Sequence, residues 1–305
     1  MNTFVASLDI NCEETALQSV IQKTCSECPT IAVKTAVVPE CDQTFSVTFS
    51  SSSESITSRA EAVFRFLLPA NAITNRFAPN SQQSLDSLSK YCSDNEYANN
   101  SFELITKAFN EYKPEEICVA FNGGKDCTAL LHIVYSIFVA KYPNNSLNTF
   151  YISIPESFPS LENFVRQSVR RYNLNLISYS DSDFKKSMQK LKNETKIKAI
   201  LMGTRASDLP KHVVLNEFQM TDEGWPQFMR ISPLLKWSYS QIWAFIRDNH
   251  VLYCSLYDRG YTSIGSTKNT APNPLLKFVL RNGETFYMPA FMLTNEDHER
   301  KGRTQ

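Results

Sequence analysis

ICVAFNGGKDC, residues 117–127, is the stretch that decides the fold of this chain. Its first five residues, Ile117–Phe121, are a short apolar run of the kind that forms a fully buried strand. Two glycines follow at once, and a helical pattern with Leu130 and Val134 on its apolar face comes next. A strand that turns through glycine into a helix is the repeating step of an α/β fold. The stretch therefore predicts the central strand of such a domain.

Strands and helices alternate on both sides of this stretch. Ser101 is predicted to cap a helix that ends at Pro114. Further strands are predicted at residues 149–154, 174–179 and 198–202, with helices at 161–172 and 183–192 between them. This alternation predicts an α/β domain with a mostly parallel sheet and helices on both faces. Functional residues of such sheets lie in loops at the carboxyl ends of the strands.

The first 75 residues follow a different pattern. A helix-like stretch at 13–22, strands at 30–38 and 44–50, and an amphipathic segment ending at Pro69 predict a small α+β segment. Residues 76–100 are rich in Asn, Ser and Gln, which is linker composition. We expect three parts: residues 1–75, a linker at 76–100, and a main domain at 101–305.

Composition excludes several classes of protein. Lys plus Arg and Asp plus Glu number 31 each, so the basic excess of a nucleic-acid-binding protein is missing. No apolar run approaches the roughly 18 residues of a membrane span, and no targeting peptide is visible. Of eight cysteines only Cys25 and Cys28 form a C-x-x-C pair, half of a four-cysteine zinc site. We expect a cytoplasmic protein that binds neither nucleic acid nor membrane.

The glycine loop suits a phosphate group. Gly123 and Gly124 would let the backbone approach an anion closely, and the following helix N-terminus supplies N–H groups. Lys125 would neutralise phosphate charge, and Asp126 would hold a magnesium ion or its waters. Two simpler interpretations stay open, because paired glycines also serve tight turns and Asp126 also suits the first turn of any helix.

The loop matches neither the Walker A motif nor G-x-G-x-x-G. It resembles the PP-loop, usually S-G-G-x-D-S, of adenylyl-transferring and ATP-pyrophosphatase enzymes. With Asn122 and Cys127 in place of both serines, it is similar to the FAD synthase branch of the PAPS-reductase-like family. The resemblance covers residues 101–305 in the family's order. It continues through GTRASD (203–208), DEGWPQFMRISPLL (222–235), WSYSQIW (237–243), LYDRGYTSIGS (256–266) and EDHERKGR (296–303).

This resemblance implies the adenine nucleotide alpha-hydrolase-like, PAPS-reductase-like fold, and transfer of AMP from ATP to FMN with Mg²⁺, giving FAD and pyrophosphate. The residues implied for ATP are Phe121, Asn122, Gly123, Gly124, Lys125, Asp126, Asp208, Ser263 and Gly265. Those implied for FMN are Asp222, Trp225, Arg230, Arg300 and Arg303. Asn122, Asp126 and Arg300 are the implied catalytic residues. Asn122 is also the implied metal ligand, with the substrate phosphates supplying most of the coordination.

The chemistry of FMN agrees with this assignment. Its flat ring needs an aromatic platform, for which Trp225 and Phe228 are candidates, and a polar group at the ring edge, for which Asp222 is suited. Its phosphate needs cations, because a guanidinium grips phosphate oxygens with two bonds. These would be Arg230, Arg300 and Arg303. Each assignment has an alternative. Trp225 would instead cover the core, and Arg300 and Arg303 would instead belong to a solvated chain end.

Other functions remain as alternatives. A PAPS-reductase-type enzyme shares the fold, but it needs a mobile reactive cysteine near the C-terminus, and none follows Cys254. Transfer RNA thiolation or ammonia ligation fits poorly with the balanced charge. A non-catalytic flavin-binding or chaperone protein is disfavoured because the residues implied for catalysis are intact. Apo-flavoproteins are the one class of macromolecule expected to make transient contact.

The N-terminal segment carries a separate expectation. Residues 1–75 resemble the last part of a molybdopterin-binding-like domain, and a whole domain of that kind would need about 150 residues. We therefore expect a structural remnant without a hydrolase site, whose deletion leaves FAD formation intact. Trp237, Trp243, His132 and His250 are expected to be non-catalytic.

Overall fold

The structure is a computed structural model that describes residues 3–38, 43–74, 82–180, 183–210, 212–280 and 283–304. The chain forms two compact units. One comprises Met1–Arg76 together with Cys254–Gln305, and the other comprises Phe77–Tyr253. The units therefore differ from the expected partition, in which residues 254–305 continued the main domain. No helix in the described part of the chain is long and apolar enough to cross a membrane.

The N-terminal part of the first unit is a four-stranded antiparallel sheet with two helices. Its strands are β1 (Phe4–Asn11), β2 (Ala32–Val37), β3 (Thr44–Ser51) and β4 (Ile73–Thr74), in the order β2-β3-β1-β4. Its helices are α1 (Glu14–Glu27) and α2 (Glu54–Leu67). The sequence analysis missed β1, although Ala6, Leu8 and Ile10 recur at the period of two that marks one face of a strand.

The second unit is built on a six-stranded sheet. Its strands are β5 (Ile117–Ala120), β6 (Asn148–Ile152), β7 (Asn175–Tyr179), β8 (Ala199–Leu201), β9 (Phe218–Met220) and β10 (Met229–Ile231). Their order is β7-β6-β5-β8-β10-β9, and every pairing is parallel except that of β9 with β10. The predicted mostly parallel α/β sheet is confirmed, with the glycine loop at the carboxyl end of the central strand β5.

Helices cover both faces of this sheet. The helices described in this unit are α3 (Gln82–Asp94), α4 (Glu96–Glu111), α5 (Lys125–Lys141), α6 (Pro159–Arg171), α7 (Phe184–Glu194) and α8 (Tyr239–Asp248). Met188 and Leu191 of α7 pack with Cys118 and Ile200 on one face. Val119 and Leu201 alternate with those strand residues, point to the opposite face and are fully buried as well.

Residues 82–100, assigned to a linker from their composition, are almost wholly helical. Leu88, Cys92 and Ala98 are buried, so α3 and α4 each bury a narrow apolar stripe. Polar residues on the other sides of these helices are exposed, namely Ser87, Ser89, Ser93 and Asn100. Residues 75–81 lie outside the described part of the chain. Ser101 lies within α4 rather than at its start, and its hydroxyl donates to the Pro233 carbonyl at 2.7 Å.

Residues 254–305 pack with the N-terminal segment because α2 supplies part of their core. They form a two-stranded antiparallel ribbon, β11 (Lys277–Val279) and β12 (Thr285–Tyr287). Val63 of α2 packs with Leu280 and Phe286, and the rings of Phe66 and Phe286 meet edge to face at 5.2 Å. Arg65 of α2 is buried between Glu61 at 2.8 Å and Asp258 at 3.3 Å.

Candidate functional site

The loop after β5 has the geometry of an anion-binding turn. Gly123 adopts φ +77°, and a Cβ at this position would lie 2.8 Å from Leu161 Cδ1 and 3.0 Å from Val165 Cγ2. Any larger residue would therefore be strained and would also clash with α6. The Gly124 N–H donates to the exposed Asn122 Oδ1 at 2.9 Å, which closes the turn. Within the described residues no side chain caps the start of α5, so its first-turn N–H groups are not blocked by a cap.

A second loop, after β8, packs directly against the start of α5. A Cβ on Gly203 would lie 2.9 Å from the Cys127 backbone nitrogen and 3.0 Å from the Asp126 carbonyl carbon. Only glycine permits this approach of two backbones. Gly203 belongs to the GTRASD segment, and no role was predicted for it from the sequence. The structure shows that it brings residues 203–208 against the glycine loop.

Four charged side chains join these two loops. Lys125 is 2% exposed, and its ammonium lies 3.0 Å from Asp126 Oδ2 and 5.2 Å from the centre of the Tyr239 ring. Arg205 is 1% exposed, with Nε 2.8 Å from Asp126 Oδ1 and Nη2 3.3 Å from Asp208 Oδ1. The Arg205 backbone N–H donates to Asp208 Oδ2 at 3.1 Å. A buried cation is stable only when it is paired with an opposite charge. Here both Lys125 and Arg205 have a carboxylate partner.

This arrangement refines the predicted roles. Asp126 bridges two buried cations, so its carboxylate already has close partners within the protein. Asp208, the assignment with the least defined role, holds Arg205 and through it the second loop. Arg205 itself was missed, although its place in GTRASD was the available signal. Asn122 remains the exposed polar side chain of the glycine loop.

The cysteine beside this network is not a nucleophile at neutral pH. Burial, and then the charge of Asp126, raises the pKa of Cys127 to about 12. Burial likewise raises the pKa of Cys92 to about 11 and that of Cys254 to about 12. A reactive cysteine requires a lowered pKa, because the thiolate is the attacking species. These three thiols therefore do not support reductase chemistry.

A second group of predicted residues lies on the β9–β10 hairpin. Arg230 Nη2 lies 3.0 Å from Asp222 Oδ1 and donates to the Met220 carbonyl at 3.2 Å. Asp222 is mostly exposed, whereas Arg230 is largely covered. Arg230 is in register with Ile200 of β8, so the pair continues the sheet away from β5. A ligand for Arg230 would compete with Asp222 for its guanidinium.

The two aromatic residues expected to form a platform differ in position. Trp225 is 39% exposed, meets Phe184 edge to face at 6.1 Å and has the Lys185 ammonium 5.8 Å from its ring centre. It is therefore a surface aromatic rather than a cover of the core. Phe228 is fully buried with Met188 beneath α7, so its expected role in the platform is wrong. Its place next to polar residues in sequence hid the inward direction of its side chain.

The first unit contains a third group, around Arg303. The Arg303 guanidinium lies against Gly265, where a Cβ would be 2.3 Å from Nη2 and 2.4 Å from Cζ. Arg303 Nη1 also approaches Ser263 Oγ at 3.5 Å. The Gly265 N–H donates to Thr270 Oγ1 at 3.1 Å, and Thr270 pairs with Arg303 as an isolated antiparallel bridge. The chain end is thus fixed to the loop, and is neither a solvated tail nor an exposed helix face.

Arg300 and Arg303 are two neighbouring cations of the tail. Neither has a carboxylate partner among the residues that the structure describes. Burial, and then the charge of Arg300, lowers the pKa of Arg303. Arg300 itself is exposed. Two neighbouring guanidinium groups without a carboxylate are suited to bind an anion such as phosphate.

The structure therefore brings the predicted residues together in three groups. The first surrounds Arg205, the second is the Asp222–Arg230 pair, and the third is the Gly265–Arg303 contact. The described residues hold no cluster of three or more His, Cys, Asp or Glu side chains placed to bind a metal. His132, expected to be non-catalytic, is buried with Nδ1 3.0 Å from the Tyr172 hydroxyl, and burial lowers its pKa to about 4.

The parallel sheet and glycine loop define the class of protein. Residues 116–272 match the phosphoadenosine phosphosulfate reductase domain family. The chain is 38% identical over 209 residues to a protein of Schizosaccharomyces pombe named probable FAD synthase, covering 67% of this chain and 77% of that protein. It is 36% identical over 200 residues to the flavin adenine dinucleotide synthase of Saccharomyces cerevisiae, covering 57% and 64%. This chain belongs to the FAD synthase family.

Other comparisons agree with that conclusion. A probable FAD synthase of Caenorhabditis elegans is 35% identical over 208 residues, but the match covers only 40% of that longer protein. Candida glabrata FMN adenylyltransferase, in a structure with FMN and the ATP analogue AMPCPP, shares the fold with a TM-score of 0.60 and 23% identity, covering 95% of this chain and 99% of that one. The same enzyme with FAD and inorganic pyrophosphate gives a TM-score of 0.61 over 95% and 97% of the two chains. The predicted family, fold class and enzyme are confirmed.

Proposed function

We propose that this chain transfers the AMP of ATP to FMN, producing FAD and pyrophosphate. The observation that carries the proposal is the match to the S. pombe relative over 77% of its length. The fold neighbours have been solved with an FMN–AMPCPP pair and with FAD and pyrophosphate, which are the two sides of this reaction. The residues implied for ATP and FMN are all present in this chain.

ATP would bind at the turn between β5 and α5. The Gly123 and Gly124 backbone and the uncapped start of α5 would hold the β- and γ-phosphates, because oriented N–H groups favour anions there. Phe121, fully buried, supports the turn from beneath. Lys125 contributes positive charge from below the loop while Asp126 holds its ammonium in place. Asp208 keeps the second loop against the first through Arg205.

The donor atoms at the loop fit a magnesium ion held mainly by substrate phosphates. Asn122 Oδ1 accepts one hydrogen bond, from Gly124, and the exposed side chain leaves its second lone pair available. Asp126 already has two cationic partners, so it supports the loop rather than supplying the main ligand. When bound, Mg²⁺ neutralises charge on the triphosphate and on the departing pyrophosphate.

FMN would be recognised by its ring edge and its phosphate. Asp222 would accept from the ring N–H, and the exposed Trp225 would contact the ring face. The phosphate would be bound by Arg300 and Arg303, which have no carboxylate partners among the described residues. Arg230 remains a predicted FMN residue, and it would have to release Asp222 to bind a ligand. Ser263 and Gly265 fix the Arg303 side chain and are assigned to ATP through their loop.

The chemistry requires alignment more than proton transfer. An oxygen of the FMN phosphate is anionic at neutral pH, so it attacks the α-phosphorus without a general base. The bond between that phosphorus and the pyrophosphate oxygen breaks as the new bond forms. Arg300 would lower the repulsion between the two phosphates that become linked, and Asn122 would orient the triphosphate.

The reductase alternative is supported less well. A phosphoadenosine phosphosulfate reductase of Emericella nidulans is 30% identical, but only over 84 residues and 28% of this chain. The raised pKa values of Cys127 and Cys254 also oppose thiol chemistry. We further propose a cytoplasmic location and transient delivery of FAD to apo-flavoproteins.

The decisive experiment is direct. The purified full chain is incubated with FMN, ATP and Mg²⁺, and flavins and pyrophosphate are quantified after chromatographic separation. We expect equal amounts of FAD and pyrophosphate, and no FAD without Mg²⁺ or with the Asn122→Ala variant. A folded chain that binds FMN but forms no FAD would instead be a non-catalytic flavin-binding protein.

A further inference from the structure

We propose that Asn273 is a positioning residue for the two tail arginines. Its carboxamide joins the loop that carries Ser263 and Gly265 to the tail that carries Arg300 and Arg303. The inference rests on the proposed function, because it assigns those arginines to the phosphate of FMN. It concerns residues of the first unit only, and Asn273 is not among the site residues predicted from the sequence.

Asn273 uses each hydrogen-bonding group that it has for this connection. It is fully buried, and Nδ2 donates to Thr262 Oγ1 at 3.0 Å and to the His298 carbonyl at 2.9 Å. Its Oδ1 accepts from the Leu275 N–H at 3.1 Å. Its backbone N–H donates to the Gly260 carbonyl at 2.8 Å. A single side chain thus connects three separate segments, so its amide orientation is fully determined.

Thr262 extends the connection by one residue along the tail. It is 1% exposed, and its hydroxyl donates to the Glu299 carbonyl at 2.6 Å. Asn273 and Thr262 therefore fix two successive carbonyls, those of His298 and Glu299, immediately before Arg300. Fixing this backbone sets the direction from which Arg300 leaves the tail.

The tail needs such an anchor because its own secondary structure is slight. Only a single 3₁₀ turn, Glu296–His298, precedes Arg300. Beyond it, the Ala271 N–H donates to the Gly302 carbonyl at 2.8 Å. Arg300 and Arg303 carry like charges that repel each other, and burial together with the charge of Arg300 lowers the pKa of Arg303. Without fixed carbonyls on both sides, the two guanidinium groups would move apart.

The test compares FMN with riboflavin, which lacks the phosphate. Binding of each is measured by flavin fluorescence, without ATP, for the wild type and for Asn273→Asp, which replaces both Nδ2 donors with an acceptor at equal size. Thr262→Val removes the hydroxyl at equal size, and Thr262→Ser keeps it. Asn249→Asp, at a buried asparagine of the other unit, is the matched control.

We expect Asn273→Asp and Thr262→Val to weaken FMN binding about tenfold, equivalent to roughly 1.4 kcal/mol, with riboflavin binding within about twofold of the wild type. Thr262→Ser and Asn249→Asp should keep the full preference for FMN. If Asn273→Asp does not fold, the inference is tested by comparing Thr262→Val with Thr262→Ser. Only the valine variant should lose the preference for FMN. Equal loss of both flavins, or an unchanged preference in folded variants, would overturn the inference. A chain that forms no FAD would instead refute the proposed function.

Discussion

Arg205 Nε lies 2.8 Å from Asp126 Oδ1, and this contact joins the loop after β8 to the start of α5. The same guanidinium reaches Asp208 at 3.3 Å, while the other oxygen of Asp126 faces Lys125 at 3.0 Å. The charges of this group sum to zero, since two cations face two carboxylates. The glycine loop therefore lies on a charge-balanced group whose two cations are buried and whose two carboxylates are partly exposed.

Removal of Arg205 should damage both stability and ATP use. Arg205→Met leaves Asp126 and Asp208 without their shared cation, and breaking a buried pair costs about 3 kcal/mol or more of unfolding free energy. We expect KM for ATP to rise and kcat to fall by about tenfold each, equivalent to roughly 1.4 kcal/mol per factor. Urea denaturation and steady-state kinetics measure the two effects.

The control for this prediction is a solvent-exposed ion pair. Lys107 and Glu111 lie 3.8 Å apart on α4 with both side chains largely exposed. Such pairs contribute about 0–1 kcal/mol, so Glu111→Gln should change neither stability nor kinetics appreciably. Equal effects of the two substitutions would show that the Arg205 network has no special role.

Substitution of Gly123 by alanine should lower stability more than backbone strain alone would, because the new Cβ would also clash with α6. Gly123→Ala introduces a positive φ of 77° for alanine and a contact of 2.8 Å with Leu161. Gly283 has a similar φ of 85°, but a Cβ there meets nothing within 4 Å. Gly283→Ala should lower stability by about 1 kcal/mol, whereas Gly123→Ala should exceed this and also weaken ATP binding. Calorimetric titration with ATP separates the two variants.

Gly265 and Arg303 should behave as one functional unit. Gly265→Ala would place a Cβ 2.3 Å from Arg303 Nη2, and the flexible guanidinium would move while the backbone stays in place. We expect stability within about 0.5 kcal/mol of the wild type, because no backbone group must shift. FAD formation should fall as far as in Arg303→Ala. The double variant should be no worse than either single one, and additive losses would contradict this coupling.

Stability should fall in mild acid because of His132. Burial lowers its pKa from 6.5 to about 4, so between these values the unfolded chain binds a proton that the folded chain does not. The free energy of unfolding is therefore unaffected by His132 above pH 6.5, where the side chain is neutral in both states. It decreases as the pH falls from 6.5 towards 4. The difference of about 2.5 units corresponds to roughly 3 kcal/mol. Urea unfolding of His132→Gln between pH 7 and 4 should show a smaller decline than the wild type, and parallel curves would exclude His132 as the cause.

Deletion of residues 1–75 should not be tolerated, contrary to the expectation from the sequence. The truncation would remove Val63 from Leu280 and Phe286, and Arg65 from Asp258. Exposed apolar surface and the loss of a buried ion pair both destabilise a fold. We expect an insoluble or inactive product, judged by solubility, circular dichroism and FAD formation. A folded, fully active truncation would restore the original view of this segment as dispensable.

The sequence predicted the sheet well because its signals are local. The run Ile117–Phe121 and the glycines after it determine the strand and the turn without help from distant residues. Phe228 and the helix α3 were misjudged for the opposite reason. Which way Phe228 points, and which stripe of α3 is buried, depend on partners far away in the chain. Composition and short motifs carry no information about such partners.

The same limit applies to the site. Asn122, Asp126 and Asp208 were predicted from motifs, whereas Arg205 and Asn273 make buried contacts that cross between segments. A buried arginine within a motif and a buried asparagine before Pro274 look like ordinary polar residues in sequence. In the folded protein each has its polar atoms arranged around specific partners.

The pairing of Arg65 with Asp258 spans 193 positions of the chain. During synthesis, residues 77–253 emerge as one continuous stretch and have all the partners of their own sheet before the ribosome reaches Cys254. The helices and strands of the preceding segment are made before that stretch, and they must wait for Cys254–Gln305 to complete their common core. Contacts of such long separation form slowly. The closure that sets Arg300 and Arg303 in place would therefore follow the folding of residues 77–253, so that the enzyme becomes competent only when the segments on either side of that stretch have met.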